Sequence, residues 1–226
     1  MTLQLIDRSR GAITRDRVYL TLREAITAAH LVPGRRLSEN ELAGQLGVSR
    51  TPIREALALL REERLVAIVP QLGTFVTRVS PAAVADAAFV REALECGAVR
   101  LAAERIDGAA LAELQANLAA QEQADPAAFD ALDDDLHRTL CEAGGHAIAW
   151  TLAQRANGQL DRIRRLSLPE PGYLREMVDE HHDVVAAVAR RDAEGAERAL
   201  RHHLRMVPSL LPALRERHPD YFEEDA

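Results

Sequence analysis

Lysine is absent from this 226-residue chain, so its 28 basic side chains are all arginines, a bias read here as base composition of the source genome. Aromatic residues supply only 4% of the sequence. With 47% of residues apolar, the cores must therefore be aliphatic, and the abundance of alanine and leucine favours helix. Cysteine occurs twice, at Cys96 and Cys141, each isolated in a helical pattern. That spacing excludes a disulfide framework and predicts buried thiols in a reducing compartment. No apolar run is long enough to cross a bilayer and no signal peptide opens the chain, which predicts a cytoplasmic protein with no membrane partner. Internal repeats, low-complexity tracts, a phosphate loop and a nucleophile motif are missing as well.

What is present divides into two halves. The net charge of −7 hides an asymmetry: residues 1–80 carry 12 arginines against 8 acidic residues, a net of +4, and residues 81–226 carry 16 against 27, a net of −11. A basic first half suits a polyanionic partner, and the acidic remainder is built for something else. The length allows two ordinary domains, with Ser80-Pro81 as the boundary.

The basic half is centred on LSENELAGQLGVSRTPIREALALL, residues 37–60. Ser38 and Glu41 form a capping-box pattern, in which each side chain satisfies a free amide of the helix start. Leu42 and Leu46 share a face, Gly47 suits a left-handed turn, and Val48 is an apolar plug between two helices. Ser49 or Thr51 caps the next helix, Pro52 fits its first turn, and Ile53, Leu57 and Leu60 form its buried stripe. Off that stripe lie Ser49, Arg50, Thr51 and Arg54, whose hydroxyls and guanidiniums suit phosphate oxygens and base edges. A helix over 14–29 precedes this pair, with Val18, Leu22 and Ile26 on one face. The runs Leu65–Val69 and Thr74–Thr77, around Gln71-Leu72-Gly73, predict a hairpin. Three helices and a hairpin describe a winged helix-turn-helix.

From Pro33 to Ser80 the sequence resembles the N-terminal domain of GntR-type bacterial transcription regulators, and the likeness covers nearly all of residues 12–80. The resemblance implies binding of a double-stranded DNA operator through Arg36, Asn40, Ser49, Arg50, Thr51, Arg54 and the wing Gly73. Two positions depart from the family pattern. Asn40 stands where arginine is frequent, and Gln71 and Leu72 replace basic wing residues, which weakens the expected minor-groove contact.

After residue 80 the pattern is helical throughout, over 81–105, 108–123, 126–143, 146–166, 171–189 and 192–217. The breaks are Asp107-Gly108, Asp125-Pro126, Gly144-Gly145 and Pro169-Glu170-Pro171-Gly172. The expected fold is mainly α: a winged helix-turn-helix over 1–79 and an antiparallel helical bundle over 80–226.

Asp133 and His137 are four apart and align with Phe129, Leu136 and Leu140; His181 and His203 also fall on inward stripes, whereas His182 and His202 are phased outward. Taken singly, a histidine on an apolar stripe is more often a hydrogen-bonded core residue. Three imidazoles and a carboxylate converging inside a bundle would instead hold a divalent metal. The segments FDALDDDLHRTLCEAGGH and EHHDVVAAVARRDAEGAERALRHHL resemble the helical FCD ligand-binding domain of the FadR-like GntR branch. That likeness carries the metal ligands over to Asp133, His137, His181 and His203, with zinc, nickel or manganese as the ion, and implies dimerisation through this domain. Arg91, in an R-x-x-L-E pattern, is a clamp for an effector carboxylate or the partner of Glu92 or Glu95. Most of Arg162, Arg164 and Arg165 are expected to face solvent, Asp134 and Asp135 to lie on a solvated face, and Trp150 and Tyr173 to pack in the core. These readings converge on a homodimeric, organic-acid-responsive transcriptional repressor. The alternatives are a regulator that senses the ion itself, or a metalloenzyme with a DNA-binding domain.

Overall fold

In the computed structural model the described residues are 15–168, 170 and 172–224. Thr14 of the expected first helix, and Pro169 and Pro171 of the expected break, lie outside them. The chain packs as two units: one runs to Ala83 and resumes at Ala213, and the other is Val84–Pro212.

The first unit is built from α1 (Arg15–Thr27), β1 (Arg36–Leu37), α2 (Glu39–Leu46), α3 (Arg50–Glu62), β2 (Val66–Val69) and β3 (Gly73–Val76). The Ser38 side chain accepts from the Glu41 amide at α2's start, and Gly47 ends that helix at φ 68°, where a Cβ would be strained. Ser49 caps α3 by backbone position alone. Val18, Leu22, Leu46, Ile53 and Leu60 meet in one aliphatic core, with Val48 packed against its edge. Each such buried side chain contributes roughly 1.5–3 kcal/mol. The sheet order is β1-β3-β2, antiparallel throughout, with Arg36 opposite Phe75 and Val69 opposite Gly73. Strand β1 carries no sequence signal, because two residues cannot display a period; pairing with β3 makes it a strand.

The C-terminus departs from a simple division at 79/80. Val79 bridges Phe222 in parallel, with the Val79 amide on Tyr221 O at 2.8 Å and the Glu223 amide on Val79 O at 3.0 Å. Residues from 213 onward therefore pack with the first unit.

The second unit comprises most of α4 (Pro81–Arg105), then α5 (Gly108–Gln121), α6 (Pro126–Ala143), α7 (Ala147–Ala156), α8 (Gly158–Ser167), α9 (Tyr173–Ala189) and α10 (Ala193–Ser209). Asp107, Asp125 and Asp192 cap α5, α6 and α10, accepting from the third amide onward at 2.8 Å in each case. Two expected helices are each broken in two. The 146–166 helix divides at Asn157-Gly158, where glycine costs helical backbone entropy. The 192–217 helix ends at Ser209 and resumes as α11 (Leu211–Arg217), since Pro212 has no N–H for the carbonyl four residues back. The core lies where α9 packs on α10 and α5, with Leu114, Leu136, Val184, Val188 and Leu200 at its centre. Among the described residues no helix is long and apolar enough to cross a membrane.

Candidate metal centre and nucleic-acid interface

Asp133 and His137 from α6, His181 from α9 and His203 from α10 meet inside the second unit, their ligand atoms all within 4.8 Å of one another. His203 Nε2 lies 3.3 Å from His137 Nε2 and 3.2 Å from His181 Nε2. Asp133 Oδ1 lies 3.4 Å from His181 Nε2 and 3.8 Å from His137 Nε2. All four residues are buried. His182 and His202 point outward, to Glu122 and to Glu180 at 3.0 and 3.2 Å.

The hydrogen-bond polarity around this cluster tests whether it suits a cation. The carbonyl of Leu132 can only accept, so Asn117 must present Nδ2 to it, at 3.0 Å. Asn117 Oδ1 then accepts from Gln121 Nε2 at 2.7 Å, and Gln121 Oε1 is left to face His181 Nδ1 at 2.7 Å. His181 therefore carries its proton on Nδ1, and its Nε2 is a bare lone pair. His203 Nδ1 donates to Glu180 Oε2 at 3.0 Å, which exposes the Nε2 lone pair of that ring too. Two lone pairs at 3.2 Å cannot hydrogen-bond to each other. Asp133 Oδ1 is buried with no hydrogen-bond partner among the described residues, while Arg164 donates to Oδ2 of the same carboxylate. Convergent lone pairs and an orphaned carboxylate oxygen are what a divalent ion resolves.

The electrostatics agree. Burial pushes the His181 and His203 imidazoles down to about 3, so both are neutral near pH 7, the form that ligates metal. For Asp133, burial opposes ionisation, but the charge of the buried Arg164 guanidinium favours the anion, and the carboxyl lies well below the usual range. Phe129 stacks on His181 and Trp150 on His137, each with centroids 6.1 Å apart, so aromatic walls flank the rings. Trp150 and Tyr173 thus serve packing, although the buried Tyr173 hydroxyl has no hydrogen-bond partner among the described residues.

Arg91 is buried and donates through Nε and Nη2 to Glu95 Oε1 and Oε2 at 2.6 and 3.3 Å. Glu95 Oε2 in turn lies 2.7 Å from His137 Nδ1, without the alignment of a hydrogen bond. Burial disfavours the Glu95 anion, yet Arg91 and His137 hold its carboxyl at about 2.

Two expectations fail. Arg162 and Arg164 are not solvent-facing but buried, and Arg165 is paired to Asp130. Arg164 lies 2.7 Å from Asp130, 3.3 Å from Asp134 and 3.6 Å from Asp161, besides its bond to Asp133. Asp134 is correspondingly half-buried rather than solvated, and Asp135 is held by Arg138. The signal for this was in the sequence: Asp130, Asp133 and Asp134 fall on one face of an inward helix, and a buried acidic stripe requires a buried cation. Gln121 and Glu180 were also missed, whereas Glu95 is the Arg91 partner that the sequence offered; Asn117 and Gln121 interrupt the Leu114–Leu118 stripe at helical spacing, which marks inward amides. Cys96 and Cys141 are free, buried thiols, as expected, pushed up to about 12 by burial.

In the first unit, Arg36, Asn40, Ser49, Arg50, Thr51 and Arg54 are all exposed. One groove gathers Arg36, Asn40, Arg50 and Gly73 with Ser38 and Glu39. Gly73, at φ 123°, lies under the Arg36 side chain, and a Cβ there would sit 3.0 Å from Arg36 Nε. At the wing tip Gln71 takes a left-handed φ of 63° and Leu72 is exposed.

A winged helix-turn-helix joined to a helical domain with an inward His/Asp cluster defines a class of two-domain DNA-binding regulator. The comparisons make this specific. Residues 14–76 match the bacterial regulatory proteins, gntR family, and residues 86–206 match the FCD domain. An uncharacterised HTH-type transcriptional regulator in an unstable DNA locus of Streptomyces ambofaciens is 42% identical, over 97% of this chain and 94% of its own. The HTH-type transcriptional repressor RspR of Escherichia coli K12 is 32% identical, over 93% and 94%. Among solved structures, E. coli McbR/YncC superposes with a TM-score of 0.76 at 26% identity, covering 90% of this chain and 99% of that one. The chain belongs to the GntR family of transcriptional regulators and carries an FCD domain. Its relatives are regulators, not enzymes, which removes the metalloenzyme alternative.

Proposed function

We propose that this protein is a cytoplasmic, homodimeric repressor whose grip on its operator is set by a small organic acid bound at a divalent ion held by Asp133, His137, His181 and His203. The observation that carries the metal is the pair of lone-pair nitrogens, His181 Nε2 and His203 Nε2, 3.2 Å apart beside the unpartnered Asp133 Oδ1. Three imidazoles and one carboxylate suit zinc, nickel or manganese, and leave room in the coordination sphere for an oxygen ligand. Arg91 is the cation proposed to balance the effector carboxylate; it is buried, held by Glu95 and within the field of Asp133.

On the DNA side, the exposed hydroxyls and guanidiniums at the start of α3 enter the major groove, and Arg36 over Gly73 presents the wing. Asn40 contributes at the groove's edge. Two copies related by a two-fold axis read two half-sites. Effector binding lowers operator affinity only if it favours a different placement of the two DNA-reading units.

The test uses full-length protein and the duplex it enriches from a randomised pool. Binding is measured after chelation, after reloading with zinc, nickel or manganese, and with a panel of small organic acids. The expected result is one bound ion per chain and an acid-dependent loss of affinity that requires the ion. Response to the ion alone would support a direct metal sensor, and the absence of any bound ion would refute the site.

A further inference from the structure

One carboxylate holds two of the three arginines of α3, Arg50 and Arg54. Glu39 opens α2, and Arg50 donates to its Oε2 through Nε at 3.2 Å and Nη2 at 2.9 Å. Arg54, one turn further along α3, donates through Nε to Oε1 at 3.2 Å and through Nη2 to Oε2 at 3.0 Å. Each guanidinium is therefore gripped along its Nε–Nη2 edge. The edge that carries Nη1 has no hydrogen-bond partner among the described residues, and the two side chains are 57% and 66% exposed. A guanidinium offers two donor edges, and the outer one is the fork that fits guanine O6 and N7. Hydrogen bonds from Arg54 and Arg50 also hold the Glu39 carboxyl down at about 2, so it is an anion at any pH where the protein works.

We propose that Glu39 is a specificity-setting residue of the DNA interface, orienting Arg50 and Arg54 toward base edges while denying them to passing phosphates. This rests on the reading that α3 faces the duplex. The reasoning has two parts. Non-specific affinity comes from neutralising phosphates, and the trio presents a net charge of one instead of two. A guanidinium already fixed by a carboxylate gains most from a partner in the right place, whereas a free one follows whichever phosphate is near. Glu39 thus lowers the affinity for arbitrary duplex more than the affinity for the correct one.

The experiment compares the duplex enriched by the wild-type protein with a scrambled duplex, by fluorescence anisotropy across a salt series, with thermal midpoints as the control for folding. Glu39→Gln is expected to tighten scrambled-duplex binding about threefold to tenfold, and to steepen its log–log salt dependence by about one unit. The enriched-to-scrambled affinity ratio falls about tenfold. If that variant loses stability, Glu39→Asp keeps the charge but shortens the reach, and is expected to lower the ratio with no change in salt slope. An unchanged ratio in either variant overturns the proposal. Arg50→Ala and Arg54→Ala separate the two levels of argument: if neither weakens binding, the placement of α3 on DNA fails; if both do while Glu39→Gln is neutral, only the role of Glu39 fails.

Discussion

Gln121 is the residue whose replacement tests the metal centre most sharply, because it touches no ligand atom of the proposed ion. Its Oε1 accepts from His181 Nδ1 and its Nε2 donates to Asn117 Oδ1, both at 2.7 Å, so it transmits the polarity of the Leu132 carbonyl to the imidazole. Gln121→Met keeps the shape and removes both bonds. Two buried polar groups then lose their partners, at about 1–3 kcal/mol each, so the metal-free protein should be less stable by about 2–6 kcal/mol. The second effect is separate. Without the Gln121 acceptor, His181 is free to carry its proton on Nε2 or to rotate, and metal affinity should fall about 10–100-fold. That corresponds to about 1.4–2.8 kcal/mol. Competition with a fluorescent chelator at neutral pH measures the affinity, and denaturant unfolding of metal-free protein measures the stability. A variant that is destabilised yet binds metal as tightly as wild type would refute the tautomer argument and reduce Gln121 to a packing residue.

Two further outcomes follow from the geometry. Gly73→Ala places a Cβ at φ 123° and 3.0 Å from Arg36 Nε, a strain of about 1–3 kcal/mol; DNA affinity should drop while the metal content stays at the wild-type level, and unchanged binding by anisotropy would show that the wing tolerates the shift. The pH dependence of the metal-free protein has a defined sign. Unfolded, the imidazoles of His181 and His203 take a proton near 6.5; folded, only near 3. Between those values the unfolded chain binds more protons, so stability is highest above pH 6.5 and declines as the pH is lowered toward 3. Urea midpoints at pH 7 and pH 5 check this, and equal midpoints would contradict the burial of neutral rings.

Much of the fold was legible because its signals are local. The Ser38 cap, the Gly47 turn and the Ile53–Leu57–Leu60 stripe each act within one or two turns of helix, and all three are present in the structure. The same holds for the aspartate caps of α5 and α6. The inward phasing of His181 and His203 against His182 and His202 follows from the 100° step of the helix, which a sequence displays directly. Strand β1 was illegible because its partner, β3, is almost 40 residues away, and the return of the C-terminus to Val79 was illegible for the same reason.

Sequence alone therefore decided which apolar residues and which histidines face inward and where the capped helices begin, since backbone periodicity and capping depend only on near neighbours. Tertiary structure decided which inward groups meet. Arg164 reads as one of three arginines on a short helix, with Asp161 three residues before it, and only packing of the second unit joins it to Asp130, Asp133 and Asp134 of α6. Gln121 likewise reads as an ordinary amide until Leu132 and His181, on two other helices, fix which end of it must donate. A buried charge or amide takes its role from whichever partners spare it the cost of desolvation, and those partners are set by contacts far apart in the chain.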